Sequence, residues 1–488
     1  MRKKYLFWAL LFIIGIALRF YLIPQNLFFG PEQGIDFAVM KRIAVDHDLT
    51  LIGAKTDVSG VFHGPIYYYL SIIPFLLSGG SPVFILFWFI CINTCTIFII
   101  YRLGFEITTK RAGIIAAILF TFSYGAIVYS RWLSTHPLSF PLATGFILSI
   151  ILFLKGNKYG LYAAAIIFGL LGQAEFLHFL FYGVLVLFII LWYRSYFLKL
   201  TKRQVLIASL LLIIFSSSNY ILFDIKHNFL ITGSLIKLLR GGSGYYIPFF
   251  SVIGLSMKVF ISSITQFLFP ISSLLTFLIL LTSVLSVIIT NTNKNKYTPL
   301  ILAWIFTPLF VLIITRHDVL DQFYVSIAPG VILIVAMFID LVIKKSRNIG
   351  VIFISILVLV QLWYWSINIP ENRNIFFQST QPKLFYSDQL KAIDYIYNEA
   401  SKEPFSIQAY TIPYWMQEGW IYLFWQYGFK KYNYLPIKEK AGKLYVIVQD
   451  DNNIEFQNNW LNGTVVTWGR QIKQKRIGTL SILSLQVE

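Results

Sequence analysis

The chain opens with MRKKYLFWALLFIIGIALRFYL (residues 1–22), an apolar run with basic residues at its start, and soon reaches the polar stretch GPEQGIDF (residues 30–37). The apolar run is long enough to cross a bilayer as one helix, and it lacks the small-residue cleavage site of a signal peptide. It therefore predicts a membrane anchor that stays on the chain. The acidic stretch after it is expected at a membrane surface, and the rest of the sequence indicates which one.

The composition is typical of a protein embedded in a membrane. Of the 488 residues, 57% are hydrophobic and 13% are charged, whereas soluble proteins carry about 25% charged residues. Because backbone groups in hydrocarbon need hydrogen-bond partners within their own segment, the spans are expected to be helices. The sequence predicts an all-α polytopic domain over residues 1–367 with about 11 transmembrane helices. These cover about 5–23, 82–101, 111–129, 137–154, 160–174, 177–193, 204–223, 270–290, 298–315, 324–342 and 349–367.

The basic residues predict the orientation of these spans. With this span count the Lys and Arg clusters fall in loops on one side, which the positive-inside rule makes cytoplasmic. The net charge of +18 therefore indicates a lipid bilayer and no nucleic acid as the surroundings. Residues 247–268 are also apolar and could be a further span or a re-entrant segment, but a full span there would put NTNKNK (residues 291–296) outside. We expect a multi-pass protein of the plasma (inner) membrane with its N-terminus in the cytoplasm.

The opposite, extracytoplasmic side then receives loop 24–81 and the last part of the chain. From about residue 368 the composition becomes more polar. The stretch SDQLKAIDYIYNEA has the period of an amphipathic helix, and FSIQAYT, KLYVIVQD and TLSILSLQV are typical of strands. Residues 368–488 are therefore predicted to form a small extracytoplasmic α/β domain.

Loop 24–81 concentrates acidic residues, with five of the 22 in the chain. Glu32 and Asp36 are four apart, so a helix beginning near Gly34 would place both carboxylates on one side of its first turn. Carboxylates this close raise each other's pKa, and one can act as a general base. On spacing alone the simpler interpretation, an acidic helix start in a solvated loop, is favoured.

The same loop contains FHGPIYYYL (residues 62–70), in which Gly64-Pro65 interrupts the chain before a run of tyrosines. The apolar helix that follows has about 13 residues, too short for a span, so it is expected to lie along the membrane interface. Tyr67 and Tyr68 can serve there as interfacial anchors or as substrate contacts.

Other polar side chains are predicted on the same outer side. Arg131 and Arg316 could bind phosphate through the planar guanidinium or anchor lipid headgroups, and Tyr324 follows Arg316 closely. Glu175 and His178 lie three apart near a span end, so they could pair with each other or contact a substrate.

Taken together, these motifs resemble a known family. The order acid-Gln-Gly-x-Asp after the first span, followed by GPIYYYL, is similar to GT-C glycosyltransferases of the protein-mannosyltransferase (glycosyltransferase family 39) and aminoarabinose-transferase kind. The stretches YSRWLSTHPLSFPL (129–142), GLLGQAEFLHFLFYG (169–183) and NYILFDIKHNF (219–229) are similar as well. The resemblance covers nearly the whole chain and implies a GT-C membrane domain with a small outer domain.

The resemblance also implies a function, hexosyl or pentosyl transfer from a polyprenyl-phosphate-linked donor to a protein, lipid or glycan acceptor. Glu32 falls where the family has its catalytic acid, one methylene longer than the usual Asp, so Asp36 also remains a candidate base. Gln33 falls where the family often has Glu, and His63 where some members carry a Lys that meets the donor phosphate. Ile35 stands where members often carry Arg.

The sequence implies no firm cofactor. It has no metal-ligand spacing, P-loop or dinucleotide fingerprint, although the outer carboxylates could hold a divalent cation. Two alternatives stay open. One is a transporter or flippase of lipid-linked sugars, which should show internal repeats that we do not find in this sequence. The other is a non-catalytic relative, because Glu32 and Ile35 depart from the family pattern.

Overall fold

The computed structural model describes residues 2–240, 248–290, 296–316, 319–370, 384–412, 414–439 and 442–487. A helical part extends to Asn368, and a part with a β-sheet follows Leu384. The helices of the first part are α1 (Arg2–Phe20), α2 (Ile23–Asn26), α3 (Pro31–Val45), α4 (Ile66–Ser78), α5 (Pro82–Thr94), α6 (Thr96–Ile107), α7 (Lys110–Phe122), α8 (Tyr124–Ser130), α9 (His136–Leu154), α10 (Lys158–Ala174), α11 (Leu177–Trp192), α12 (Arg194–Phe197), α13 (Lys202–Ser216), α14 (Ser218–Lys226), α15 (Leu230–Leu239), α16 (Phe249–Leu268), α17 (Ser273–Thr290), α18 (Thr298–Thr315), α19 (Ala328–Lys345) and α20 (Arg347–Asn368), with a 3-10 helix at Asp321–Ile327.

The predicted spans are present as helices. Eight helical segments of the described chain are long and apolar enough to cross a membrane. Seven of them match predicted spans, and the eighth is α16. Two further predicted spans are bent pairs, α7 with α8 at 58° and α13 with α14 at 53°, and the last two are the shorter helices α10 and α11. The chain is therefore a multi-pass membrane protein, and the short apolar helix predicted after Gly64-Pro65 is present as the 13-residue α4.

The predicted cytoplasmic loops meet at one end of the helix bundle, which we call the basic end. Ion pairs and a hydrogen bond connect the ends of different spans there. They join Glu106 to Arg102 and Lys155, Asp340 to Arg111 and Lys344, and the Tyr193 hydroxyl to the backbone carbonyl of Lys296. The other end, which carries residues 24–81, we call the loop-1 end. Residues 291–295 of NTNKNK, which include Lys294, lie outside the described residues, whereas Lys296 is described.

Helix α16 begins and ends near the loop-1 end. Its first residue, Phe249, lies 5.2 Å from the guanidinium of Arg316, and Arg316 follows α18, which starts at the basic end. Near its other end, the Phe267 carbonyl accepts a hydrogen bond from Ser123 Oγ at 3.0 Å, on the loop-1 side of α7. Both contacts lie on the loop-1 side of the bundle, although α16 is a continuous helix long and apolar enough to cross a membrane.

The C-terminal part is a four-stranded sheet with the order β1-β2-β4-β3, in which β1 and β2 are parallel and the other pairs are antiparallel. Its elements are α21 (Tyr386–Ala400), β1 (Phe405–Tyr410), α22 (Glu418–Leu423), a π-helical turn (Phe424–Phe429), α23 (Lys430–Tyr432), β2 (Lys443–Gln449), α24 (Ile454–Gly463), a 3-10 turn (Val465–Trp468), β3 (Arg470–Ile477) and β4 (Leu480–Gln486). The predicted helix and three strands are confirmed. Strand β3 was missed because RQIKQKRI is polar and exposed at the sheet edge.

A close backbone contact attaches this sheet to loop 1. Gly34 in α3 lies so near Gly419 in α22 that a Cβ on Gly34 would come within 2.2 Å of the Gly419 backbone nitrogen. Beside it, the rings of Phe37 and Tyr422 are 5.3 Å apart, and the Tyr422 hydroxyl donates to the Gly80 carbonyl at 2.6 Å. Helix α3 is therefore held between the membrane bundle and the C-terminal sheet.

We expect Gly34→Ala to loosen this attachment, because the new methyl group would overlap backbone atoms that cannot rotate away. The apparent melting temperature in detergent should fall, and limited proteolysis should release the C-terminal part sooner. Gly183→Ala is the matched control, since a Cβ on this helical glycine meets open space. Equal behaviour of the two variants would contradict the importance of the contact.

Candidate active site

The first turns of α3 carry Glu32 and Asp36. The helix starts three residues before the predicted Gly34 because Pro31 suits the first helical position. The Gly30 N–H donates to Gln33 Oε1 at 3.1 Å, and Gln33 is buried. Gln33 therefore caps the start of this helix, while Glu32 is exposed and Asp36 is half-buried.

The tyrosines of α4 lie directly beside this helix. The Tyr68 hydroxyl donates to Asp36 Oδ1 at 2.7 Å. Tyr67 is buried, and its ring packs 5.0 Å from that of Phe89. In the described chain the Tyr67 hydroxyl finds no hydrogen-bond partner. Of the two predicted tyrosines, Tyr68 thus orients an acid, whereas Tyr67 belongs mainly to the packed interior.

The environment shifts the pKa of both carboxyls upward. Burial raises the pKa of Asp36 from 3.8 to about 7, opposed by the hydrogen bond from Tyr68 and assisted by the charge of Glu32. Desolvation also raises the pKa of Glu32, although its side chain stays exposed, and the negative charge of Asp57 adds to this. A carboxyl whose pKa lies near neutrality can exchange protons at physiological pH.

His63 and Glu175 meet across sequence-distant segments. His63 Nδ1 accepts a hydrogen bond from the Phe176 N–H at 3.3 Å and lies 3.8 Å from Glu175 Oε1. Because Nδ1 accepts, the neutral ring carries its proton on Nε2. Glu175 therefore lies beside His63, whereas His178 Nδ1 lies 3.3 Å from the Leu171 carbonyl, seven residues earlier.

Asp57 connects this pair to the acids of α3. Its charge raises the pKa of both Glu32 and Glu175, so the two groups share one region. His136 also belongs there, since it interacts electrostatically with His63 and His178. The sequence analysis counted Asp57 among the five acids of loop 24–81 without giving it a role, and it missed His136. The sequence could have indicated His136, because this histidine stands at the start of a predicted span and within the stretch YSRWLSTHPLSFPL that resembles the family.

Arg131 lies at the loop-1 end beside the first span. Its Nη1 donates to the carbonyls of Arg19 and Tyr21 at 2.8 and 2.7 Å, so it satisfies acceptors at the end of α1. Arg19 itself is fully buried and donates to Asn93 Oδ1 at 3.2 Å. Arg19 was missed as well, although a charge near the end of an apolar run is a signal in itself.

Arg316 and Tyr324 lie together with α16. Arg316 stacks on Phe249, and the buried Tyr324 hydroxyl approaches the Ser256 carbonyl at 3.5 Å. Of the eleven predicted site residues, six lie in loop 1, and Glu175 and His178 lie at the break between α10 and α11, where Glu175 approaches His63. Arg131 contacts the end of α1 instead, and Arg316 and Tyr324 lie beside α16.

The acids and histidines do not form a metal centre within the described ranges. There, no group of three or more His, Cys, Asp or Glu side chains is arranged to hold a metal ion.

Comparison with solved structures identifies the fold. ArnT from Cupriavidus metallidurans, bound to undecaprenyl phosphate, superposes with a TM-score of 0.64 at 9% identity, over 98% of each chain. The archaeal oligosaccharyltransferase AglB from Archaeoglobus fulgidus, in complex with an inhibitory peptide and a dolichol-phosphate, gives 0.54 at 14% identity, over 98% of this chain and 74% of AglB. The sequence matches no protein-family model and no curated protein. The chain thus has the GT-C fold, and the predicted resemblance is confirmed at the level of fold.

The raised pKa of Asp36 predicts a pH-dependent stability difference. Its folded-state pKa of about 7 lies above its ordinary 3.8, so this group loses stabilising free energy as the pH rises between these values. Asn can accept the Tyr68 hydrogen bond without ionising. Asp36→Asn should therefore gain in apparent melting temperature over the wild type from about pH 4 to pH 7. Asp46→Asn, at the exposed end of α3, is the control, and a pH-independent difference would contradict the shifted pKa.

Proposed function

We propose that this protein is a membrane glycosyltransferase that moves a sugar from a polyprenyl-phosphate-linked donor to an acceptor hydroxyl or amine. The observation that carries the proposal is the carboxylate pair of α3, one member exposed and the other held by Tyr68 with a pKa near neutrality. This is the arrangement that a general base beside a membrane surface requires. The GT-C fold supports the same chemistry by analogy.

In this proposal Glu32 is the base. Its exposed carboxylate takes the proton of the acceptor O–H or N–H while that heteroatom bonds to the anomeric carbon of the sugar. The bond between the anomeric carbon and the phosphate oxygen breaks, and its electron pair leaves with the polyprenyl phosphate. Ionised Asp36 keeps Glu32 basic, because the repulsion between two carboxylates favours uptake of a proton.

The departing phosphate gains negative charge and needs donors on the same face. His63 is suited to this in its neutral form, since Nδ1 accepts from Phe176 and leaves an N–H at Nε2 to donate. Arg131 is the nearby candidate for charge compensation, and only its Nη1 takes part in the two carbonyl contacts. The Glu175 carboxyl lies 3.8 Å from the same Nδ1, which leaves the Nε2 side of the ring to the phosphate.

The donor and acceptor are proposed by class. ArnT was solved with undecaprenyl phosphate and AglB with a dolichol-phosphate, which supports a polyprenyl-phosphate partner. The acceptor could be a protein, a lipid or a glycan. We place the reaction on the extracytoplasmic face of the plasma (inner) membrane with a cytoplasmic N-terminus, because the carboxylates lie at the end opposite to the basic loops.

The test is sugar transfer by the purified full-length protein in lipid nanodiscs. A panel of polyprenyl-phosphate-linked sugars with labelled sugar is incubated with protein, lipid and glycan acceptors, and transfer is measured as labelled acceptor and released polyprenyl phosphate. We expect Glu32→Gln to slow release by roughly 100-fold or more, because the base is lost while the shape is kept. Asp46→Asn should be unaffected. Intact donor after incubation with folded wild type would refute the enzyme and favour a flippase. Full activity of Glu32→Gln would refute the assigned base.

The hydrogen bond from Tyr68 predicts the pH profile of that reaction. Because this bond lowers the pKa of Asp36, Tyr68→Phe should raise it further. The pair is active when ionised, so the acidic limb of kcat/KM should move to higher pH in this variant. Tyr69→Phe is the control, since the Tyr69 hydroxyl donates to the Thr50 carbonyl instead. A limb that stays in place in Tyr68→Phe would contradict the role of Asp36.

A further inference from the structure

An aromatic surface lies at one edge of the C-terminal sheet. Strands β1 and β2 are parallel neighbours, so their carboxyl ends meet at one edge, where α/β sheets commonly bind ligands. The loop after β1 and helix α24 after β2 supply three rings there. We call Tyr414, Trp415 and Phe456 the aromatic patch. The rings of Tyr414 and Phe456 are 4.7 Å apart, and Trp415 lies 5.7 Å from the buried Trp460 beneath.

Trp415 is held in an unfavourable position for a tryptophan. Its side chain is 54% exposed, and its backbone φ of 68° lies in the left-handed region, which is unfavourable for a residue with a bulky side chain. Strained residues of this kind concentrate at binding sites, where the surrounding structure holds them in place. The ring packs on Tyr410 and Trp460, with centroids 6.1 and 5.7 Å away, so its inner side is fixed while its outer side is open to a ligand.

A buried carboxylate organises the patch from below. Asp451 Oδ2 accepts from the Tyr410 hydroxyl at 2.6 Å and from the Tyr414 hydroxyl at 3.0 Å. Its Oδ1 accepts from the Asn453 N–H at 2.8 Å. Asp451 thus ties the loop after β1 to the loop after β2, so the rings are ordered before any ligand arrives.

The charge around the patch indicates which ligand it suits. The chain has 40 Lys and Arg residues, yet residues 405–429 and 449–469 contain none. An anionic membrane surface would be met by basic residues. Within these two segments the charged and amide side chains are acids, Asn and Gln, among them Gln417, whose Nε2 donates to Gln408 Oε1 at 3.0 Å. The basic residue Arg476 of β3 is paired with Asp450, beside Asp451. Amides and carboxylates bond hydroxyl groups well, and the C–H face of a pyranose stacks on an aromatic ring.

The patch also lies beside the proposed catalytic helix. Its loop leads directly into α22, whose first residues, Glu418 and Gly419, contact the backbone of Gly34. Gly34 is two residues from Glu32. A chain-like ligand stacked on Trp415 would therefore extend toward the first turn of α3.

We propose that the aromatic patch is the acceptor-binding surface and that the acceptor is a neutral saccharide. One sugar ring stacks on Trp415, and a hydroxyl further along the same glycan reaches Glu32. This inference rests on the proposed function for the transfer step, while the binding of a saccharide can be measured without it.

The experiment measures binding of the full-length protein in nanodiscs to an array of defined neutral oligosaccharides. The variants are Trp415→Ala, Trp415→Phe, which keeps a ring, and Ile472→Ala, an exposed apolar residue of β3 as control. We expect Trp415→Ala to weaken saccharide binding by roughly tenfold, as for the loss of one stacked ring. Trp415→Phe should retain most of the binding, and Ile472→Ala all of it.

Three results would overturn the inference. These are no saccharide binding by the wild type, equal binding by Trp415→Ala, or dependence on Trp415 only for a peptide array or for anionic phospholipid vesicles. Polyprenyl-phosphate binding and donor cleavage are measured on the same preparations. If donor binding and cleavage are normal while saccharide binding is the same with and without Trp415, only this inference fails. If the wild type cleaves no donor, the proposed function fails instead.

Discussion

The contact between Gly34 and Gly419 is the constraint on which the arrangement of the site depends. Two backbones meet there without side chains between them, so the C-terminal sheet fixes the direction of α3 as firmly as the membrane helices do. The start of the helix is fixed as well, by Pro31 and by the cap between Gly30 and Gln33. Because Glu32 and Asp36 lie on the first turns, their positions follow from these constraints.

Placing two carboxyls on such a fixed helix has an electrostatic cost. Both carboxyls are partly desolvated beside the packed helices, although the Glu32 side chain remains exposed, and this desolvation raises the pKa of both. Tyr68 compensates in part by donating to Asp36. Two opposing effects also act on Glu175, since burial raises its pKa and the nearby His63 lowers it. The site therefore contains acids whose pKa is raised by their surroundings, most clearly Asp36, which favours proton transfer more than maximal stability.

The sequence predicted those features of the fold that rest on local pattern. Hydropathy located the spans, and the short apolar helix α4 was predicted from its length, whereas residues 247–268 stayed open between a span and a re-entrant segment. The polar edge strand β3 was missed because it has no apolar face, so its sequence shows no alternating hydrophobic pattern. In the site, the acids of loop 1 were noticed for their spacing and became candidates through the family resemblance. The contacts of His63 with Glu175 and of Gly34 with Gly419 join positions far apart in the chain, which a single sequence cannot pair.

Arg131 and Arg316 illustrate why residue type alone does not identify a phosphate ligand. Both are basic and were predicted on the same side, yet Arg131 bonds carbonyls at the end of α1, and Arg316 stacks on α16. Near a membrane, a guanidinium that satisfies helix-end carbonyls avoids an unpaired acceptor, so a structural role competes with binding. Arg131 can combine the two, since one nitrogen makes both contacts and the planar group has further donors. Whether a basic residue at this end of the bundle can bind phosphate therefore depends less on its charge than on how many of its N–H donors are not already used in structural contacts.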